Sequence, residues 1–294
     1  MGTRSRIEWC DRTYNPITGC THSGSPGCDH CWAASMVNRF PQLHGTKPFP
    51  YGDGLVEAIP FSTVQFHPSR LDEPLRWRKP QRVFVCSMGD LFHEDVNPAL
   101  IIRVFEVMVL CQDHTFLLLT KRPERMKKLV CGCLENAMGE PIDAITNIFL
   151  GVSVENQQTA DQRIPILLQT PAAVRFVSVE PCLGPVDIFQ NISKYHPDTV
   201  INAEVYAEAM GNRQFDEAAG IRRNWHRGGI NWVVVGCESG PRRRSCNIEW
   251  IKSLRDQCVA AGVPIFVKQA EIDGKLVKMP KIDGRVWGQI PEGR

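Results

Sequence analysis

A chain of 294 residues, 43% hydrophobic and 22% charged, carries ample material for a buried core and reads as globular, one large domain or two modest ones. A formal charge of +2 excludes a global polyanion-binding signature, so contact with nucleic acid has to come from local basic clusters. No apolar run is long enough to span a bilayer, the start MGTRSRIEWCDR lacks the apolar centre of a signal peptide, and twelve cysteines in such a chain read as reduced thiols plus a metal site, so the expected setting is cytoplasmic with no membrane partner.

The first candidate strand is Arg6–Trp9. It leads into a Gly/Pro-rich stretch, GCTHSGSPGCDHCWA, which holds Cys20, Cys28 and Cys31, and then into a candidate helix over Cys31–Phe40. Thr63–Phe66 is a second candidate strand. The run Arg76-Trp77-Arg78-Lys79-Pro80-Gln81-Arg82 is either a phosphate-binding patch with Trp77 free for stacking or a charged helix end with Trp77 packed inside. Strand Val83–Ser87 follows, then helix Pro98–Cys111, strand Phe116–Thr120, helix Pro123–Cys133, strand Ile148–Val154, helix Ala160–Gln169 and strand Arg175–Val179. From about Gln190 to Gly229 the rhythm breaks into a polar, helix-like insertion. Strand Trp232–Gly236, helix Ile248–Ala261 and strand Ile265–Lys268 complete the series; Ile251, Leu254, Arg255 and Cys258 stand at helical spacing and Gly262 is the stop.

Near-continuous apolar strands alternating with helices mark a parallel sheet. The expected fold is α/β, a parallel (β/α) barrel, partial or complete, of six to eight strands. It forms a single domain over 1–294, with a cysteine-rich loop at about 10–31 and the helical insertion at about 190–229.

Such a barrel places its active site at the carboxyl ends of its strands. Polar residues collect there: Ser87, Met88 and Asp90, then Thr120, Lys121 and Arg122, then Ser153 and Glu155, Ser178 and Glu180, Glu238 and Ser239, and Lys268 and Gln269. Any one of them alone reads as a solvated loop residue, and Glu180 and Glu238 read also as carboxylates paired with Lys121, Arg122 or Lys268 across the mouth. Six successive strands ending this way point to a polar pocket. Glu180-Pro181 and Glu238-Ser239-Gly240-Pro241 suit sharp exits from buried strands, with carboxylates for ribose hydroxyls or an ammonium group. Arg242–Arg244 beside them is a second basic patch.

A closed zinc site takes four ligands, and the fourth would come from Cys10, His22 or His30. The spacing Cys-x7-Cys-x2-Cys lacks the two close Cys/His pairs of zinc knuckles, and no His-x-Glu element of the zinc deaminases accompanies it. An iron–sulfur cluster on three cysteines leaves one iron open. The other cysteines read as small buried hydrophobes. Cys86, Cys182 and Cys237 lie near strand ends, and Cys131-Gly-Cys133 is a pair suited to a second cluster.

Lying after a first strand and before a helix, the motif resembles the cluster loop of radical S-adenosylmethionine enzymes, whose usual spacing is Cys-x3-Cys-x2-Cys. The stretches YNPITGC, GCDHCWA, SMGDLFHEDV, LTKRPERM, GVSVENQ, LLQTPAAVRFVSVEPCLGPVD, WVVVGCESGP and LRDQCVAAGVPIFVKQ cover most of Arg6 to Gln269 in order. In them the chain resembles a phage and bacterial family of three-cysteine-motif, radical-SAM-like proteins. Trp32 in place of Tyr, a first gap one residue longer, Ala270 in place of an aromatic, and the insertion depart from that pattern.

The resemblance implies a [4Fe–4S] cluster on Cys20, Cys28 and Cys31, with S-adenosylmethionine on the open iron through its amino and carboxylate groups. It also implies an external electron donor and a 5′-deoxyadenosyl radical that takes hydrogen from a substrate. By position, Ser87, Met88, Asp90, Ser153, Glu155 and Glu180 are candidates to contact S-adenosylmethionine, and Lys121, Arg122, Glu238 and Lys268 to contact substrate. The phage association and the local arginines favour a nucleic acid or nucleotide substrate, and a protein partner is a further candidate. The alternatives are a non-catalytic, metal-stabilised module (zinc or iron–sulfur) that binds nucleic acid or protein, and a hydrolase or nuclease using the carboxylates with a divalent metal.

Overall fold

The computed structural model describes residues 5, 7–48, 56–134, 137, 139, 142, 145–189 and 229–291. Among them seven strands lie side by side in chain order, all parallel: β1 (Arg12–Tyr14), β2 (Arg82–Val85), β3 (Thr115–Thr120), β4 (Ile148–Val154), β5 (Val174–Val179), β6 (Trp232–Gly236) and β7 (Ile265–Ile272). An eighth, β8 (Lys275–Lys278), returns antiparallel to β7 through the two-residue turn Asp273-Gly274. The sheet is α/β in class, mostly parallel and curled into a half-barrel, with β1 and β8 as its open edges. Twist accumulated over parallel neighbours supplies that curl.

Among the described residues five helices of seven residues or more accompany the strands: α1 (Trp32–Arg39), α2 (Pro98–Leu110), α3 (Pro123–Leu129), α4 (Gln157–Leu168) and α5 (Ile248–Ala260). Several begin on local chemistry. Asn97 accepts from the Ala99 amide with Pro98 at the first helical position, and Asn247 accepts from the Glu249 amide. Asn156 and Thr159 form a reciprocal capping box at α4. The apolar stripes of α2 (Ile101, Val104, Phe105, Met108) and α5 (Ile251, Leu254, Cys258) are buried in the core on the convex side of the sheet, with Phe116, Leu118 and Val177.

Strand alternation sends the neighbouring residues inward. Leu117, Phe149, Phe176, Trp232, Val234 and Phe266 form an aromatic-rich layer on the concave face, and Trp9 and Cys10 from the N-terminal segment complete it. Trp9 lies 4.8 Å from Phe84 and 5.9 Å, edge-on, from Trp232.

Three expectations change. Of the strand expected over Arg6–Trp9, Arg6 lies outside the described residues and the rest is a turn: the Cys10 amide closes on the Ile7 carbonyl and turns Trp9 into the concave face, and the first described strand is β1. Of Thr63–Phe66 only Gln65–Phe66 is extended, and it pairs with Ile17–Thr18 in a two-residue ribbon outside the main sheet. Pro68 opens a short helical turn there and ends it. The α-helix expected over Pro123–Cys133 stops at Leu129 and passes into a wider turn over Val130–Leu134. The insertion expected near 190–229 lies outside the described residues except for its last position. No helix among the described residues is long and apolar enough to cross a membrane.

Candidate functional site

Beyond the aromatic layer the inward rows of β4, β5 and β7 turn polar. Ser153, Ser178 and Lys268 continue the rows of Phe149, Phe176 and Phe266, and with Leu119 of β3 they line a cavity of about 600 Å³ at the carboxyl ends of the strands. Cys20, Cys28 and Cys31 open on the same cavity, with Ser87, Asp90, Lys121, Arg122, Glu180 and Glu238. Two expected residues do not line it. Met88 packs with Ala33 and Val37 beneath α1, and Glu155 is fully buried behind Lys121.

The carboxylates at the strand ends are each held by a cation. Asp90 accepts from Thr120 Oγ1 at 2.8 Å, the Phe92 amide at 3.0 Å and Arg122 Nη1 at 3.1 Å. Glu155 is bound by Lys121 Nζ, and by Arg163 Nη1 of α4 at 3.2 Å. Burial pushes the Glu155 pKa up, but Lys121 and Arg163 outweigh it and leave it below the ordinary value. Glu180 is bound by Lys268 Nζ. Glu238 accepts from Arg244 through Nη2 at 2.6 Å, Nε at 3.1 Å and the amide at 2.7 Å. Its Oε2 also stands 2.9 Å from His30 Nδ1. Burial opposes ionisation, yet these bonds, led by Arg244, take the Glu238 pKa down to about 2.

Arg122 and Glu238, expected to contact substrate, line the cavity and are engaged by other groups of the protein. The Arg122 guanidinium is buried and all five of its N–H groups are engaged. Nε meets Glu94 at 2.8 Å; Nη1 meets Asp90 at 3.1 Å and Cys20 Sγ at 3.4 Å; Nη2 meets Thr21 O at 3.3 Å and Oγ1 at 3.2 Å. Lys121 and Lys268, in contrast, line the cavity, the first bound to the buried Glu155 and the second to Glu180. Ser87 donates to Asn15 Oδ1 at 3.2 Å, beside the Met88 amide on the same oxygen at 3.0 Å.

The cysteine loop is pressed onto this framework. Its Gly19 amide bonds Met88 O and its Cys20 amide bonds Phe61 O, each at 2.9 Å. A Cβ on Gly27 would stand 2.7 Å from Glu155 Oε1 and 2.9 Å from Lys121 Nζ, so the loop reaches that ion pair only through a glycine. Burial, with Asp90 adding to it, raises the Cys20 thiol to about 11 against the pull of Arg122.

Candidates for a fourth ligand turn elsewhere. Cys10 is buried in the aromatic layer and its thiol meets Ser5 Oγ at 3.2 Å. His22 Nε2 meets Asp29 Oδ1 at 2.9 Å, and His30 is turned to Glu238. Among the described residues no three histidine, cysteine or carboxylate side chains converge closely enough to hold one metal ion. A tetrahedral zinc needs such convergence, with each Zn–S bond about 2.3 Å. The donor set that lines the cavity is thus the three thiols of Cys20, Cys28 and Cys31.

Pairings missing from the sequence reading carry much of this site: Asn15 with Ser87, Arg163 with Glu155, Arg244 with Glu238, and the N-terminal floor. Only Asn156-Gln157-Gln158-Thr159 gave a local signal, as a cap that fixes the strand end carrying Glu155. Trp77 is packed, edge-on to Tyr14 at 6.5 Å and under the Arg12 guanidinium at 5.2 Å, so the Arg76–Arg82 run offers no open stacking face there. Cys182, Cys237 and Cys258 are fully buried and Cys131 is exposed; the Cys133 side chain is outside the described residues.

Residues 4–291 match a family described as "Protein of unknown function (DUF5131)". No curated protein matches. Among solved structures, this chain is similar to one titled "Spore photoproduct lyase complexed with dinucleoside spore photoproduct", at 10% identity and a TM-score of 0.39, over 80% of this chain and 58% of that one.

Proposed function

This chain belongs to the DUF5131 family of proteins of unknown function, and from its site we propose that it is a radical S-adenosylmethionine-type iron–sulfur enzyme acting on a nucleotide or nucleic acid. One observation carries the reading: Cys20, Cys28 and Cys31 open together on a cavity of about 600 Å³ while Cys10, His22 and His30 face other partners. Three thiolates without a fourth suit an incompletely ligated [4Fe–4S] cluster, and the motif's resemblance to the three-cysteine, radical-SAM-like family supports the same assignment.

Cys20, Cys28 and Cys31 would hold the cluster. When bound and reduced by an external donor, it would supply the electron that splits a carbon–sulfur bond of S-adenosylmethionine. The chain's own residues prepare the surroundings. Ser87, Ser153 and Ser178 offer neutral hydroxyls to amino, carboxylate and ribose groups along the wall. Lys121 and Lys268 each have three ammonium donors, one of them on a carboxylate, and the rest suit an anionic or carbonyl group of the substrate. Trp9 and Leu119 close the floor against water. Trp32, half exposed where α1 meets the cavity, is suited to stacking on a base. Oxygen-sensitive chemistry of this kind belongs in a reducing compartment, so the cytoplasm is the proposed setting.

Pairing weighs against the hydrolase alternative. Asp90, Glu155, Glu180 and Glu238 are each neutralised by an arginine or lysine, whereas metal-assisted hydrolysis asks for carboxylates converging on the ion.

The test is anaerobic reconstitution with iron and sulfide quantified for the parent protein, Cys28→Ala and Cys10→Ala. The parent and Cys10→Ala should hold the cluster and Cys28→Ala should not. Dithionite with S-adenosylmethionine should then release 5′-deoxyadenosine. Stoichiometric zinc without labile sulfide, or loss of metal in both variants, would refute the reading.

A further inference from the structure

Seven residues separate Cys20 from Cys28, against two between Cys28 and Cys31. A gap that long leaves the two ends of the motif free to drift apart unless each is anchored, and each is held by an arginine from a different strand end.

At the Cys20 end the anchor is Arg122, just past β3. Its Nη1 donates to Cys20 Sγ at 3.4 Å and its Nη2 to Thr21 O at 3.3 Å, while Asp90 and Glu94 fix the guanidinium from behind. At the other end Arg244, beyond β6, donates Nη2 to Pro26 O at 2.9 Å and lies 3.5 Å from Asp29 Oδ2. Glu238 fixes Arg244 through three bonds and holds His30 of the same loop segment at 2.9 Å.

We propose that Arg122 and Arg244 form a two-point clasp that sets the separation of Cys20 from the Cys28/Cys31 pair, and that the Arg122 N–H on the Cys20 sulfur tunes the group bound there. Both are positioning residues. The inference rests on the reading that these three thiols hold an iron–sulfur cluster. A fork of rigid donors bridges a sulfur, a carbonyl and a carboxylate at once, which a lysine's single ammonium does not reproduce. A guanidinium donating to a ligating sulfur favours the more negatively charged, reduced cluster, since hydrogen bonds to the sulfurs are one determinant of cluster potential.

The experiment uses the full chain, reconstituted anaerobically as parent, Arg122→Lys and Arg244→Lys. It reads iron affinity by chelator competition, midpoint potential by spectroelectrochemical titration, and the thermal midpoint of each apo protein as a check of folding. Both variants should lose apparent iron affinity by roughly ten- to hundredfold. Only Arg122→Lys should also lower the potential, a change that a purely structural role would not produce. A parent protein that takes up no cluster would overturn the reading and this inference with it. A parent that holds its cluster, with variants of the same affinity and potential, leaves the reading standing and removes the clasp. If Arg122→Lys does not fold, an unchanged iron affinity in Arg244→Lys alone removes it.

Discussion

Charged residues at the strand ends act mainly on one another and on the cysteine loop. Glu238 illustrates the consequence. Its carboxyl falls from an ordinary 4.5 to about 2 because Arg244 and His30 favour the ionised form over the cost of burial. A depressed carboxyl pKa stabilises the fold above the unfolded value and loses that contribution as pH falls through the folded one. Glu238→Gln should therefore be less stable than the parent at pH 7, with the difference shrinking as pH drops from about 4.5 toward 2. Urea midpoints of both proteins across that range check this; a gap independent of pH would contradict it. The residue types at this site were legible in the sequence, since cysteines and strand-end carboxylates stand out by spacing. Their partners were not, because His30 and Glu238 meet across 208 positions of chain.

Elements whose ends are written locally were readable. α2 and α5 combine an Asn cap with an apolar stripe at helical spacing, and both begin where the sequence places them. β1 and β8 carry no such signal: one is three residues of mixed character, the other mostly exposed, and pairing with a neighbour makes each a strand. At α4 the cap also serves the site, because Thr159 Oγ1 accepts from the Glu155 amide at 2.8 Å while Asn156 Oδ1 accepts from the Thr159 amide at 3.0 Å. Asn156→Ala should cost about 1 kcal/mol of stability by denaturant unfolding. A loss indistinguishable from zero would mean the capping box does not hold this end of the helix.

A half-barrel leaves its concave face to be filled by something other than a closing strand, and here the N-terminal segment does so. Trp9 is 2% exposed and touches rings from β2, β5 and β6. Trp9→Ala should cost about 3–5 kcal/mol, the range for emptying a buried aromatic site, and should deepen the cavity whose floor it forms. Equilibrium unfolding of the variant measures the first effect; a loss well below 1 kcal/mol would show that the segment does not contribute to the core.

By itself the sequence determined the alternation of parallel strands and helices, the grouping of Cys20, Cys28 and Cys31, and the polar character of the strand ends. Each depends on neighbours within about ten residues, through period, capping and spacing. Only the tertiary structure decided that the barrel is open, that Cys10 lies in the aromatic layer with its thiol on Ser5, and that Arg122 and Glu238 are engaged with the loop. Those outcomes depend on which strand ends the stacking order brings side by side, and a charge finds its partner by that proximity whatever its distance along the chain.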